Sequence, residues 1–148
     1  MGYWSRQRFG LGLVMALASS CLFAQPALAA RLTVTADHIA PGPGGIRFIL
    51  YRGAEGFRHE DRAFRVLTGR ADAAASTVIF ADLPAGQYAV MAYHDANANQ
   101  RLDMRLGMFP KEGWGLSNDP KVMGPPSFAA SSFTVTTQDA ALTIPMHY

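Results

Sequence analysis

The amino-acid sequence predicts an all-β protein: a single antiparallel β-sandwich of six to seven strands that carries one long ordered loop. Two observations predict this class. Several short segments alternate apolar and polar residues with a period of two, and clusters of Gly, Pro, Asn and Asp separate these segments. In addition, the sequence after the N-terminal segment lacks the apolar repeat of a long amphipathic helix.

The first two strands precede a polar connection. Residues 31–39 alternate, so that the apolar side chains from Leu32 to Ala36 lie on one face of a half-buried strand. A turn rich in Gly and Pro follows, and residues 45–52 form the second strand. Residues 53–65 are polar and have the composition for one helical turn.

The remaining strands flank the long loop. Residues 77–83 and 86–94 predict a hairpin joined by a Pro-Ala-Gly turn. Its inward side chains are expected to be Phe80, Leu83, Tyr88, Val90 and Ala92. Two closing strands, 132–136 and 141–147, follow the loop, and Pro145 places the last strand at a sheet edge because proline lacks a backbone donor.

The N-terminal segment has the three parts of a secretory signal peptide. Arg6 and Arg8 precede an apolar run, which ends at an Ala-x-Ala site with cleavage expected before Ala30. We therefore predict a signal peptide over residues 1–29 and a single β-sandwich domain over residues 30–148. Such a bacterial protein would be periplasmic or secreted.

Two other interpretations of this segment are weaker. A membrane anchor would need about 20 consecutive apolar residues, and this run is shorter. A lipoprotein would place its lipidated cysteine at Cys21, but the preceding Ala-Ser-Ser is a poor match for that cleavage site. If cleavage occurs before Ala30, the lone cysteine is lost and the domain cannot contain a disulfide.

Removing the signal peptide also removes the net positive charge. The whole chain has 13 Lys and Arg against 11 Asp and Glu, and Arg6 and Arg8 leave with the signal. A domain near neutrality gives no electrostatic argument for nucleic-acid binding or for an anionic membrane. Nor do we expect stable membrane insertion after cleavage.

The long loop begins with residues typical of a calcium site. Asp95, Asn97, Asn99 and Asp103 stand at positions one, three, five and nine, and position seven would contribute the carbonyl oxygen of Arg101. This spacing directs successive oxygen atoms toward one hard cation. It predicts a weak Ca²⁺ site, for which Glu112 or Asp119 would have to supply further ligands.

The same residues have a structural interpretation. Gln100 stands at position six, where glycine normally makes the turn, and Leu106 stands at position twelve instead of a bidentate Glu. Arg101 and Arg105 also oppose the two carboxylates. Because Asn and Asp side chains bond nearby backbone amides, these residues would equally shape a turn without a cation.

Four motifs in fixed order resemble a bacterial family, the domain of unknown function 2141. The motifs are Leu83-Pro-Ala-Gly-Gln-Tyr-Ala-Val90, His94-Asp95 with Asn97, Asn99 and Asp103, Pro110-Lys-Glu-Gly-Trp-Gly-Leu-Ser-Asn118, and Pro125-Pro-Ser-Phe128. The resemblance implies an exported bacterial protein without an established activity, usually with Gly at the position of Gln100. The Leu-Pro-Ala-Gly-x-Tyr segment also resembles prealbumin-like (Cna-B-like) sandwich modules, an analogy of fold.

A second part of the loop is a candidate ligand site. Its residues are His94, Glu112, Trp114, Ser117 and Asn118. Trp114 between two glycines offers an aromatic face to a protein or carbohydrate partner, or it folds back with Phe128 as a lid over an open end of the sandwich. An acid–base enzyme built around His94, Asp95 and Glu112, with Lys111 and Ser117 nearby, is the alternative function. We expect no enzyme, because the sequence has no nucleophile elbow, paired-carboxylate pattern or zinc signature.

Overall fold

A computed structural model describes Met1, residues 29–121 and residues 124–148. The predicted signal peptide lies outside the described residues except for Met1 and Ala29, and so does Cys21. Within the described part of the chain, every helix is too short to cross a membrane.

Ten strands, one 3₁₀ turn and one short helix make up the described chain. The strands are β1 (Ala30–Asp37), β2 (Gly45–Arg52), β3 (Arg65–Arg70), β4 (Ser76–Leu83), β5 (Gly86–Asp95), β6 (Met104–Arg105), β7 (Phe109–Pro110), β8 (Trp114–Leu116), β9 (Phe133–Val135) and β10 (Ala140–Pro145). The 3₁₀ turn is Glu60–Arg62, and the helix α1 is Phe128–Ser131.

Two packed sheets confirm the predicted all-β sandwich. One sheet has the order β10-β1-β4, and the other has the order β3-β2-β5-β8, with β9 also paired to β5. The pairing is antiparallel except between β1 and β10, which are parallel. The last strand lies at a sheet edge, as Pro145 predicted. The strands β3, β6, β7 and β8 were not predicted, and the last three are two or three residues long.

The predicted hairpin of residues 77–83 and 86–94 is wrong, because β4 and β5 belong to different sheets. The apolar faces of β4 and β5 point into the same core from opposite sides. Two strands paired in one sheet and two strands facing each other across the core show the same period of two. The chain crosses between the sheets at Pro84, whose carbonyl oxygen accepts a hydrogen bond from the Tyr88 hydroxyl at 2.8 Å.

The main core lies between the two sheets. It buries the side chains predicted to point inward on β1, β4 and β5, namely Leu32, Val34, Ala36, Phe80, Leu83, Tyr88, Val90 and Ala92. Strand β2, which lies beside β5 in the five-stranded sheet, contributes Ile46, Phe48 and Leu50. Burial of this apolar surface supplies the main favourable free energy of folding, without any disulfide in residues 30–148.

A second apolar cluster covers the outer face of the five-stranded sheet. Tyr51, Phe57 and Phe128 form a chain of edge-to-face contacts there, with ring centroids 5.3 and 5.7 Å apart. At its border Arg47 forms an ion pair with Glu60, which also accepts a hydrogen bond from the Tyr93 hydroxyl at 2.8 Å. Burial, together with the Glu60 carboxylate, raises the pKa of Tyr93 well above its usual range.

The strand β8 ties the C-terminus to the five-stranded sheet. It pairs with β5 on one side and with His147 on the other, where the Trp114 and His147 backbones exchange hydrogen bonds of 2.9 and 2.8 Å. Gly113 lies against the Tyr148 ring and Gly115 against the Pro145 backbone, so close that neither position leaves room for a Cβ. The two glycines beside Trp114 therefore permit close packing.

Candidate functional site

The Asp95–Asp103 segment, the Asp/Asn turn, begins at the buried end of β5. Asp95 is 4% exposed, and its two carboxylate oxygens accept hydrogen bonds from the backbone amides of Asn99 and Gln100, each at 2.9 Å. The charge is thus compensated by amide dipoles that the turn itself supplies. Asp95 closes the turn that follows its own strand.

The two asparagines continue this internal bonding. Asn97 Oδ1 accepts from the Asn99 amide at 3.1 Å, and Asn99 Oδ1 accepts from the Arg101 amide at 2.9 Å. Their side-chain nitrogens donate to Asp103, at 2.9 Å from Asn97 and 3.1 Å from Asn99. Every residue predicted as a side-chain ligand of calcium thus takes part in one hydrogen-bonded network.

The backbone of the turn is left-handed at two residues. Ala98 has a φ of 56° and Gln100 a φ of 60°. Gln100 therefore adopts, at some conformational cost, the geometry that glycine takes readily. The turn therefore keeps a left-handed residue at the position where the calcium-loop pattern has glycine.

Glu112 folds back onto the turn, whereas Asp119 does not. The Glu112 carboxylate accepts from the amides of Ala96 at 3.1 Å and Asp103 at 3.0 Å. Asp119 pairs instead with Lys121 and with His147. The hydrogen bond from Lys121 lowers the pKa of Asp119 most, and the hydrogen bond from His147 lowers it further.

The donor set fits calcium only in part. Asp95, Asp103 and Glu112 offer hard oxygen ligands of the kind that calcium prefers. Within the described ranges, however, no three side chains of Asp, Glu, His or Cys converge closely enough to hold a metal ion. The amide nitrogens of Asn97 and Asn99 point at Asp103, and both amides would have to rotate to present oxygen to a cation.

His94 lies in the interior and is fully bonded. It is 5% exposed, with Nε2 2.9 Å from the Pro43 carbonyl oxygen and Nδ1 3.1 Å from the Tyr148 hydroxyl. The carbonyl only accepts, so we assign the proton to Nε2, and the Tyr148 hydroxyl donates to Nδ1. His94 ties two distant segments to β5.

Ser117 and Asn118 fasten the end of the loop. The Ser117 hydroxyl accepts from the Val90 amide at 2.9 Å and donates to the Ser131 carbonyl at 2.5 Å. Asn118 donates to the Ser132 carbonyl at 2.8 Å. The polar residues predicted as a ligand site thus bond to the protein itself, and Lys111 lies exposed beside them.

Trp114 borders an apolar groove of about 520 Å³, which we call the Trp114 groove. Its lining comes from the five-stranded sheet, from residues 102–110, from Gly124–Pro126 and from Arg58, the one charged residue among the described lining residues. The apolar side chains are Met91, Leu116, Leu102, Met104, Met108, Phe109, Pro125 and Pro126. Trp114 and Phe128 both pack against the second apolar cluster. They therefore cover the outer face of a sheet, and the predicted lid over an open end of the sandwich does not form.

The wall of this groove is a short hairpin, Met104–Pro110, which we call the apolar hairpin. Its strands β6 and β7 pair only with each other. Four large apolar side chains on it face solvent, with exposures of 40% for Met104, 82% for Leu106, 68% for Met108 and 61% for Phe109. A contiguous apolar patch of this kind on a soluble domain typically marks an interaction site.

A second cleft lies on the other side of the Asp/Asn turn. It is larger, about 650 Å³, and is lined by Gly42–Gly45, Asp95, Gln100 and several polar side chains. Its two arginines are already paired, Arg47 with Glu60 and Arg70 with Asp72. Arg47 Nε nevertheless is buried and has no hydrogen-bond partner among the described residues. The lining of this cleft is thus more polar than that of the apolar Trp114 groove.

Comparison with known protein families identifies the chain. The family described as "Uncharacterized protein conserved in bacteria (DUF2141)" matches residues 34–143, which is well over half of the chain. The chain belongs to this family. The DUF2141 match runs from β1 into β10 and so includes both sheets, the Asp/Asn turn and the apolar hairpin. Neither the curated proteins nor the solved structures gave a significant match.

Sequence reasoning missed the apolar hairpin. The available signal was four large apolar residues among seven, Met104 to Pro110, inside a loop otherwise rich in Gly, Asn and Asp. The segment is too short for a periodicity argument, and only the structure shows that these side chains are not buried.

Proposed function

We propose that this DUF2141 protein is an exported, non-enzymatic binding module. Its Trp114 groove and apolar hairpin receive the apolar part of a ligand or partner. The observation that carries this proposal is the exposure of Leu106, Met108 and Phe109 beside a groove lined by apolar side chains. Apolar concavities with few polar groups are the usual sites of ligand binding.

The alternative of an acid–base enzyme has less support. The catalytic candidates would need free polar atoms facing a cleft. Both ring nitrogens of His94 are occupied, and both oxygens of Glu112 accept from backbone amides. The Ser117 hydroxyl is also engaged, at 1% exposure.

Groove binding is testable with 1-anilinonaphthalene-8-sulfonate. Trp114 is the only tryptophan after residue 4, so energy transfer from it to the dye reports dye bound to the processed protein, and the variants locate the dye. We expect saturable transfer that Phe109→Gln weakens. The matched control is Ile79→Gln, which changes a 53% exposed residue on β4 in the other sheet. Equal dye affinity in both variants would contradict the proposal.

We also propose that the Asp/Asn turn binds calcium weakly. The support is the ligand spacing, the left-handed Gln100 and the folded-back Glu112. We expect an affinity of about 10⁻⁴–10⁻³ M, the range typical of extracellular modules, because Asn97 and Asn99 would have to rotate and Arg101 opposes the cation.

Calcium binding is tested by the unfolding temperature in millimolar calcium and in chelator. We expect calcium to raise it, because a ligand that binds only the folded state stabilises that state. Asp103→Asn, which keeps an oxygen acceptor but removes the charge, should abolish the shift, whereas the exposed Asp139→Asn should retain it. No shift at millimolar calcium would end the calcium proposal and leave groove binding untouched.

Export is tested by cell fractionation and by the mass of the recovered chain. Cleavage before Ala30 predicts a chain of residues 30–148 in the periplasm or the medium. A lipid-modified N-terminal cysteine at position 21 would contradict this cleavage site. Full-length protein in the cytoplasm would contradict export itself.

A further inference from the structure

We propose that the apolar hairpin docks the protein on an anionic lipid surface. Leu106, Met108 and Phe109 would enter the acyl region, while the cations beside them contact the headgroups. The inference rests on the proposed function and deepens it, because it names the partner that the hairpin meets. It concerns attachment to one face of a bilayer and involves no spanning segment.

The tip of the hairpin is the first observation. Leu106 and Gly107 have φ values of 53° and 70°, and the Met108 amide donates to the Arg105 carbonyl at 3.2 Å. This is a two-residue turn with positive φ at both central positions, where Asn-Gly is the preferred sequence. A leucine there is conformationally unfavourable, and it is also 82% exposed.

Folding alone does not explain this leucine. It neither fills the core nor suits the turn, and an exposed group of large apolar side chains of this kind typically contacts something outside the domain. Met108 and Phe109, which follow the turn in the sequence, are exposed as well. Together these three side chains form an apolar tip, which can enter the acyl region of a bilayer without a complementary pocket.

The local charge is the second observation. Residues 101–112 contain three cations, Arg101, Arg105 and Lys111, against the two carboxylates of Asp103 and Glu112. Asp103 already accepts from the side-chain amides of Asn97 and Asn99, and Glu112 already accepts from the backbone amides of Ala96 and Asp103. Among the described residues, no carboxylate forms an ion pair with any of the three cations.

The domain as a whole is near neutrality, so its net charge conceals this local excess. An apolar tip flanked by cations matches a bilayer whose headgroups are anionic and whose interior is apolar. Aromatic residues, Met and Arg are enriched in protein interfaces as well, so the apolar residues alone do not choose between a protein and a lipid. The cations beside them, which are unpaired among the described residues of a domain that is near neutrality as a whole, favour an anionic lipid surface.

The test is co-sedimentation of the processed protein with vesicles. One set contains phosphatidylglycerol and phosphatidylcholine, and the other contains phosphatidylcholine alone. We expect binding to the first set and much weaker binding to the second. Chelator should not abolish binding, because the hairpin and its cations do not depend on calcium.

The decisive variant is Leu106→Asn. Asparagine suits the left-handed tip, so the unfolding temperature should stay the same or rise. Vesicle affinity should nevertheless fall about tenfold, the loss expected when one large apolar side chain no longer leaves water. Ile79→Asn, on the other sheet, is the matched control and should leave vesicle affinity unchanged.

A second pair of variants tests the cations. Arg105→Gln should weaken binding to the anionic vesicles about fivefold, since one cation near such a surface contributes about 1 kcal/mol. Arg31→Gln, an exposed arginine on β1, should have no effect. Higher salt should reduce the difference between the two variants.

The outcomes separate the two proposals. Anionic vesicles that bind wild type and Leu106→Asn equally, or do not bind at all, overturn lipid docking. If the dye still reaches the Trp114 groove, the proposed function stands and points to a protein partner. If neither dye nor vesicles bind, both proposals fail.

Discussion

The Asp/Asn turn and the apolar hairpin are consecutive in the chain and opposite in character. The turn is polar, and its buried Asp95 and its Asn97, Asn99 and Asp103 bond to one another or to nearby backbone amides. The hairpin is apolar, pairs only with itself and exposes Leu106, Met108 and Phe109. The residues that resemble a binding site in sequence already bond to one another, whereas the large apolar side chains beside them face solvent.

The largest effect is expected from Asp95→Ala. It leaves two backbone amides without their charged acceptor at a buried position, and we expect a loss of about 2–4 kcal/mol in the free energy of unfolding. Asp139→Ala, which removes one exposed acceptor of the Arg31 amide, should cost less than about 1 kcal/mol. Urea unfolding at pH 7 measures both. Equal losses would mean that the turn is not held by its own network.

Glu112→Gln tests how much the folded-back Glu112 carboxylate stabilises the turn. The amide keeps one acceptor for the two backbone N–H groups of Ala96 and Asp103 and turns a donor toward the other. We expect a loss of about 1–2 kcal/mol. Urea unfolding is again the measurement, with the neighbouring exposed Lys111→Gln as control. A loss no greater than that of the control would contradict a stabilising role for the Glu112 carboxylate.

Gln100→Gly should be stabilising. Glycine adopts the φ of 60° without the steric cost that Gln100 bears, although its unfolded state is more flexible. The expected net gain is about 0.5–1 kcal/mol, measured by thermal unfolding in chelator. Gly is the residue that the family resemblance implies here. Destabilisation by this change would show that the turn has another conformation in solution.

Substitutions on the hairpin should separate stability from binding. Phe109→Ser removes an exposed side chain and should change the free energy of unfolding by less than about 0.5 kcal/mol. Dye transfer from Trp114 should fall in the same variant. A large loss of stability would place Phe109 in a packed core and would remove the contrast between the two regions.

The smallest effect concerns the pH dependence of Asp119. Its pKa is lowered from 3.8 mainly by the hydrogen bond from Lys121 and then by that from His147. A depressed pKa contributes stability that is present above 3.8 and is lost as the pH falls below that value. Asp119→Asn should therefore slightly flatten the decline of the unfolding temperature as the pH falls below about 4. Asp61→Asn, on the exposed 3₁₀ turn, should leave the decline unchanged.

Much of the fold was predictable from alternation. The buried faces of β1, β4 and β5 follow the period of two, and Pro145 marks the sheet edge. The partner of each strand was not predictable, because Phe80 and Tyr88 face the same core whether their strands pair or oppose each other. Period two thus determines the buried side, while pairing depends on contacts between residues distant in the chain.

The site was predictable in composition and not in role. The spacing of Asp95, Asn97 and Asn99 is the same for a cation loop and for a self-bonded turn, and hydrogen-bond partners such as Glu112 are distant in sequence. His94 shows the same difficulty, because its partners Pro43 and Tyr148 come from the two far ends of the domain. Leu106 was overlooked because exposure is a property of the folded chain.

Amide hydrogen exchange with and without anionic vesicles compares the two regions in one measurement. The contrast predicts that the amides of Asn99 and Gln100 are protected in the free protein, because both donate to the buried Asp95. Residues 104–110 should exchange readily until vesicles are added and should then become protected. Protection that vesicles induce in the turn, with none in residues 104–110, would contradict the assignment of binding to the apolar hairpin.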